Sequence, residues 1–264
     1  MQLSSIHVYP VKSAAPMTAD VARVEPRGLE YDRRWLVVDT NGRFLTGREF
    51  ARMTLIRAQP IDGGLQLDAP GMPTLRVGTT ESNATVPVTI WRSQVDARPM
   101  DARASSWLGE FLGRPARLVH MDAAVTRSID SLHAQPGDEV SFADGFPLLL
   151  ISRAALDGLN ARLERPVSML RFRPNLVVDG ALAHAEDSWK RIRIGEVEFD
   201  VAKACTRCVF TTVDPDLGER DPAGEPLRTL VGYRRTPDGV TFGQNLIPRS
   251  TGTVRIGDPI TIVA

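Results

Sequence analysis

Apolar and polar residues alternate along much of this chain in short runs broken by turn residues, the pattern of strands half-buried in a sheet. Arg34-Trp35-Leu36-Val37-Val38, the turn Asp39-Thr40-Asn41-Gly42 and Arg43-Phe44-Leu45-Thr46 read as one hairpin, because Asn-Gly tolerates the positive φ that tight turns need. Leu55 to Pro60 and Leu65-Gln66-Leu67, separated by Asp62-Gly63-Gly64, read as another. Val86 to Trp91 alternates too, with Pro87 moving it towards a sheet edge. Roughly the first hundred residues therefore predict a barrel or sandwich.

A helical period appears twice. From Asp101 to Leu112 the residues Trp107, Leu108, Phe111 and Leu112 share one face, Asp101 can cap the start, and Gly113 with Pro115 stops the run. This helix is expected to close a first domain. A second helix is predicted from Ser152 to Leu163, with Ser152 as cap and Leu156, Leu159 and Leu163 as its stripe. Strands are expected again at Leu176 to Val178, Arg191 to Ile194, Glu196 to Val201 and Thr253 to Val263. The turns Arg193-Ile194-Gly195-Glu196 and Arg255-Ile256-Gly257-Asp258 are alike, a reuse of turn chemistry and not a repeat. With no low-complexity stretch and no long linker, the two halves are expected to pack tightly.

Composition narrows the partners. At 264 residues, 42% hydrophobic and 24% charged, the chain can build one large core or two small ones. Lys+Arg and Asp+Glu both number 32, so net charge gives no reason to expect nucleic acid or acidic partners, and any functional positive charge has to be local. The start, Met1-Gln2-Leu3-Ser4-Ser5-Ile6-His7, lacks a basic region followed by an apolar run. The longest apolar run, Pro147-Leu148-Leu149-Leu150-Ile151, is too short to span a bilayer. Two cysteines make no disulfide framework. The expectation is a cytoplasmic protein with neither nucleic acid nor membrane as partner.

The candidate chemistry sits at Cys205-Thr206-Arg207-Cys208, which holds both cysteines. A zinc site needs a second knuckle or a histidine pair, and His7, His120, His133 and His184 are scattered. A thioredoxin-type couple needs a helix after the cysteines, whereas Val209-Phe210-Thr211-Thr212-Val213 is β-branched and aromatic and reads as a strand. Two small buried apolar cysteines remain possible, although Lys203 and Arg207 would favour a thiolate nearby. So does a single thiolate on a soft metal whose other sulfur ligands come from a cofactor. Phosphate-loop, dinucleotide and nucleophile-elbow motifs are missing, and Asp214-Pro215-Asp216-Leu217-Gly218-Glu219 lacks the acidic spacing of a calcium loop. Two basic clusters stand out, Val11-Lys12-Ser13 and Arg171-Phe172-Arg173-Pro174-Asn175. Arg173 precedes a proline and is expected to be an extended arm suited to bidentate contact with a phosphate or fused heterocycle. Surface charge flanking strands would explain each cluster equally well.

Together these segments carry a resemblance that no one of them carries alone. Val11-Lys12-Ser13, Tyr31-Asp32-Arg33-Arg34-Trp35-Leu36-Val37, Phe172-Arg173-Pro174-Asn175, Glu186-Asp187-Ser188-Trp189, Cys205-Thr206-Arg207-Cys208 with Thr211-Thr212-Val213-Asp214-Pro215, Phe242-Gly243-Gln244 and Ile256-Gly257-Asp258-Pro259 occur in this order. Across essentially its whole length the chain resembles MOSC proteins with an N-terminal MOSC-associated β-barrel, the family of the mitochondrial amidoxime-reducing component and its bacterial counterparts.

The resemblance implies a mainly β (α+β) fold, with an N-terminal β-barrel domain over residues 1–118 packed against a MOSC β-barrel domain over residues 119–264, and a few helices. It implies a molybdenum cofactor, a molybdopterin carrying Mo, with Cys208 as metal ligand and catalytic residue. Lys12, Ser13 and Arg33 would hold the cofactor from the first domain, Arg173 and Asn175 from the second. Thr206 stands where the family usually has Ser, and Cys205 has no role beyond structure. The implied activity is reduction of small N-hydroxylated compounds (amidoximes, hydroxylamines, N-hydroxylated bases, N-oxides) by oxygen transfer to Mo. Electrons would come from a separate ferredoxin, flavoprotein or cytochrome, because the chain shows no further cysteines for an iron–sulfur cluster and no N-terminal anchor. The alternative is a molybdenum-cofactor carrier or sulfur-transfer module, here without the pyridoxal-phosphate domain found fused to some MOSC domains. Substrate preference is expected to depend on the loops near Arg48 and His133.

Overall fold

The computed structural model describes residues 1–79, 84–129 and 132–264. The protein is mainly β, with 41% of residues in strands and 17% in helices. Its largest sheet runs, by neighbouring strands, through Met17–Ala19, Gln2–Val8, Leu176–Asp179, Leu148–Ser152, Gly239–Pro248, Val197–Thr206, Arg191–Ile194 and Ile260–Ile262. The chain's first strand thus pairs antiparallel with Leu176–Asp179, more than a hundred residues away, and stitches the N-terminus into the second half. Leu148–Ser152 is buried throughout, matching its continuous apolar run, and it pairs parallel with Leu176–Asp179.

The first half builds a four-stranded sheet ordered Trp35–Val38, Arg117–His120, Ser93–Pro99 and Val86–Ile90. Every residue of Trp35–Val38 is buried, because successive side chains feed two different cores. Trp35 and Val37 join Met53, Leu65, Leu108 and Phe111, while Leu36 and Val38 join Val88, Ile90, Val119 and Phe142. The Asp39–Gly42 turn closes with Gly42 N–H donating to the Asp39 carbonyl at 3.1 Å, and Val38 bridges Phe44. Val86–Ile90, with its Pro87, lies at the end of this sheet. Arg57–Ile61 and Gly64–Asp68 form the second expected hairpin.

The helix Ala102–Leu112 starts where expected, with the Asp101 carboxylate accepting from Arg103 N–H, and ends on Gly113 at φ 67°. The next strand, Arg117–His120, pairs back onto Trp35–Val38, so the helix does not end the first sheet. The second helix, Arg153–Asn160, is capped by Ser152 but stops short of Leu163.

Three expectations change. Val209–Thr212 is a 3-10 turn and not a strand, because the Thr211 and Thr212 hydroxyls donate to the carbonyls of Cys208 (2.9 Å) and Val209 (2.7 Å) and close it locally. Arg173 is left-handed, φ 58° and ψ 46°, and not extended; it ends the 3-10 turn Met169–Phe172, with its N–H donating to the Leu170 carbonyl. Thr253 to Val263 is broken by the Gly257 turn into Gly252–Arg255 and Ile260–Ile262, which join different sheets.

Candidate active site

The Val197–Thr206 strand carries the cysteine segment. Its pairing with Gly239–Pro248 slips twice, between Val201 and Lys203 and between Ala204 and Thr206, and these bulges turn its C-terminal end into a cavity. Gly243, at φ 80°, lets the partner strand run against Leu148–Ser152, where a Cβ would meet the Leu150 carbonyl oxygen at 2.8 Å.

The cavity has a volume of about 530 Å³ and lies between the two halves of the chain. Lys12, Ser13, Arg33, Arg173, Asn175, Thr206 and Cys208 all line it, and His133 does not. Seven cationic side chains reach it (Lys12, Arg33, Arg48, Arg171, Arg173, Lys203 and Arg207) against one carboxylate, Asp144. A chain with no net charge thus makes one locally cationic cavity.

Strained backbone gathers here too. Four of the six non-glycine residues with positive φ among the described residues line the cavity: Ser13 (69°), Arg33 (50°), Trp91 (53°) and Arg173 (58°).

The cations differ in how they are held. Arg33 Nη1 pairs with the fully buried Asp32 at 2.6 Å and donates to Asn175 Oδ1 at 2.9 Å. Asn175 is saturated: its Oδ1 accepts from Arg33 and Leu149 N–H, and its Nδ2 donates to the His7 carbonyl and Asp32. Its amide therefore acts inside the protein and braces Arg33 across the two halves. Lys12 Nζ is ion-paired with Asp144 and donates to the Phe142 carbonyl at 2.9 Å. Burial pulls Lys12 down to about 8, against the opposing pull of Asp144.

Asp144 is the hub of the mouth. Besides Lys12 it accepts from Arg48 Nη2 at 2.9 Å and Trp91 Nε1 at 3.1 Å. Burial pushes its carboxyl up, but Lys12 and Arg48 outweigh that and hold it well below the usual carboxylate range. Buried Arg127 fixes the segment behind it by donating to the carbonyls of Ser141, Ala143 and Asp144.

Among the described residues Arg173 and Arg207 have no carboxylate partner. Arg173 Nη1 donates to the Ala14 carbonyl at 2.8 Å, while its buried Nη2 has no partner. Burial pulls Arg173 down to about 10, Tyr9 opposing and Arg33 adding to the shift. Both Arg33 and Arg173 pack on the ring of buried Tyr9, at 4.3 and 4.2 Å from its centroid. Arg207 donates to Cys205 Sγ and the Phe172 carbonyl, and its buried Nε is unpaired.

The two cysteines are free and differently served. Cys205 faces Arg207 Nη1 at 2.9 Å and packs against the core containing Phe172 and Phe242. Cys208 faces Arg48, whose Nε donates to Sγ at 3.2 Å. Lys203 lines the cavity with both thiols and pairs with Asp238 at 3.4 Å. Arg48 is placed by Gly47, where a Cβ would strike the Phe210 ring at 2.4 Å.

Asp144, Tyr9 and Trp91 were not signalled by the sequence as site residues; Arg48 was expected only as part of a loop. Among the described residues no group of three His, Cys, Asp or Glu side chains could cage a bare metal ion. A metal on Cys208 must therefore arrive with its own ligands, and the orphaned guanidinium N–H groups fit an anionic carrier. The residues present fit a phosphate-bearing metal cofactor.

Comparison with known proteins agrees with that chemistry. Residues 1–115 match the MOSC N-terminal beta barrel domain and residues 137–261 the MOSC domain. The chain is 35% identical to mitochondrial amidoxime-reducing component 1 of Mus musculus over 99% of its length and 82% of the relative's, and 33% identical to that of Homo sapiens with the same coverage. It is also 33% identical to a molybdenum cofactor sulfurase of Oryza sativa subsp. japonica, over 92% of this chain and 32% of that protein. No helix among the described residues is long and apolar enough to cross a membrane.

Proposed function

The chain belongs to the MOSC domain family, and on that premise we propose that it is a molybdenum-cofactor-dependent reductase of small N-hydroxylated compounds, with Cys208 as the metal ligand. The observation that carries this reading is the Cys208 thiol beside a cation, Arg48, at the wall of a cavity with six further cationic side chains.

When bound, the cofactor supplies a two-electron centre that takes oxygen from the substrate. The chain's own residues bind and orient. Arg173 and Arg207, with unpaired donors, would hold the phosphate of the cofactor, and Lys12, Ser13, Arg33 and Thr206, which line the cavity, would hold the rest of it. Asp32 and Asn175 position Arg33, and Asp144 positions Lys12 and Arg48. Arg48 places its charge beside the sulfur that must ligate as thiolate. Electrons come from a separate carrier protein in the cytoplasm, and residues 1–118 and 119–264 form the two domains that grip the cofactor.

The test is molybdenum and pterin content of protein from a cofactor-competent host, beside Cys208→Ala. One molybdenum per chain is expected, with amidoxime reduction abolished in a folded Cys208→Ala protein. A well-folded, molybdenum-free protein, or parental turnover in the variant, refutes the reading. The likeness to a cofactor sulfurase favours a second reading, a cofactor carrier, which rapid transfer of the cofactor to an acceptor apoprotein would support.

A further inference from the structure

Trp91 breaks a local rule of turn chemistry. Val86–Ile90 and Ser93–Pro99 pair with Ile90 opposite Ser93, leaving Trp91-Arg92 as a two-residue hairpin loop. Such loops want Gly, Asn or Asp at their first position, because φ there is positive. Here the position holds Trp91 at φ 53°, a bulky residue in a costly conformation. Burial does not repay it. Trp91 is 45% exposed, whereas Trp35, Trp107 and Trp189 are 4%, 5% and 6% exposed.

What the conformation achieves is placement. Nε1 donates to Asp144, Phe44 meets the ring edge-on with centroids 4.9 Å apart, and the Arg48 guanidinium lies 4.5 Å from the ring centroid. Arg48 in turn touches Cys208 at 3.2 Å, so the indole centroid lies within about 9 Å of Sγ, allowing one C–N bond between the two contacts. A single aromatic ring carrying an N-hydroxylated group spans that interval. Held by Asp144, Phe44 and Arg48, the indole is still 45% exposed and lines the cavity, so part of the ring stays open to a ligand.

We propose that Trp91 is a specificity residue: a platform on which the flat aromatic body of a substrate stacks while its N-hydroxylated end points inward to Cys208. This rests on the reductase reading for the identity of the reacting group, but the stacking can be measured without turnover. Flat conjugated substrates are selected over aliphatic ones of the same reactive class.

Two measurements test it. Of the protein's tryptophans Trp91 alone is well exposed, so acrylamide quenching of tryptophan emission reports on it. Benzamidoxime is expected to shield the quenchable emission and acetamidoxime is not; equal shielding, or none, overturns the proposal. In the loaded enzyme, the ratio of kcat/KM for benzamidoxime to that for acetamidoxime is expected to fall about tenfold in Trp91→Leu, the scale of a lost aromatic stack, and less than threefold in Trp91→Phe. Both variants lose the Nε1 bond to Asp144, so their difference isolates the ring. A ratio unchanged in Trp91→Leu, or lowered equally in both, overturns the platform. Shielding in an enzyme that reduces neither compound would refute the reductase reading and support the platform, which also keeps the test decisive if the variants fail to fold.

Discussion

Arg33 and Arg173 share one tyrosine and have opposite fates. Both guanidiniums pack on the buried Tyr9 ring, both sit at positive φ, and both line the same cavity. Arg33 has the sealed carboxylate of Asp32 and a saturated Asn175 amide; Arg173 has one carbonyl, an orphaned Nη2 and a proton affinity pulled down to about 10, first by burial. The contrast separates charge paired inside the fold from charge that the proposed function assigns to a ligand. Paired cations knit the halves together, and a cation left costly in the free protein repays that cost when an anion arrives.

The largest effect should come from breaking the paired side. Arg33→Met leaves Asp32 buried and uncompensated, and is expected to cost about 3–5 kcal/mol of stability in denaturant unfolding. Asp32→Asn with Arg33→Met should recover part of that loss. If Arg33→Met alone unfolds like the parent, the pair is not structural and the comparison collapses.

The unpaired side should behave in reverse. Arg173→Met removes a guanidinium whose one hydrogen-bonded partner among the described residues is the Ala14 carbonyl, so stability is expected to stay within about 1 kcal/mol of the parent. Affinity for inorganic phosphate should fall about thirtyfold, the scale of one charge-assisted contact. Calorimetric titration reads the second number and denaturant unfolding the first. A variant as unstable as Arg33→Met, with phosphate binding intact, would make Arg173 another structural cation.

The two residues also mark where sequence reading ends. Elements with local signals were legible: the 102–112 helix from its Asp101 cap and Gly113 stop, and the 57–68 hairpin from its alternation and Asp-Gly-Gly turn. The family pattern names Lys12, Ser13, Arg33, Arg173, Asn175, Thr206 and Cys208 together, and the fold brings all seven to one cavity. What could not be read depends on contacts far apart in sequence or on side chains competing with the backbone. Val209–Thr212 has strand-forming residues, yet two threonine hydroxyls fold it back on Cys208 and Val209. Asp144 belongs to an irregular stretch held by Arg127, and nothing near it in sequence shows that Lys12, Arg48 and Trp91 converge on it. That the amide of Asn175, a residue the resemblance assigns to the cofactor, is bonded to four protein partners is likewise a matter of distant contacts.

The smallest effect sharpens the comparison by titration. Lys12 lies between the two cases: it has a carboxylate partner, but Asp144 is shared with Arg48, and burial still pulls the ammonium down to about 8 from its ordinary 10.5. Arg33 and Arg127 repel it as well. Below pH 8 Lys12 is charged and adds to the cavity's attraction for anions; above it the charge is lost while the arginines keep theirs. Phosphate affinity should therefore weaken by up to about tenfold as pH rises through a midpoint near 8, and Lys12→Met should flatten that step. Stability moves the other way. Between pH 8 and 10.5 the unfolded chain holds a proton that the folded one has released, so the penalty of burying the ammonium is relieved as pH rises across that window. Opposite slopes for binding and stability, both removed by one substitution, would identify Lys12 as a ligand-facing charge kept at the expense of the fold. Parallel slopes would assign it to the structural side with Arg33.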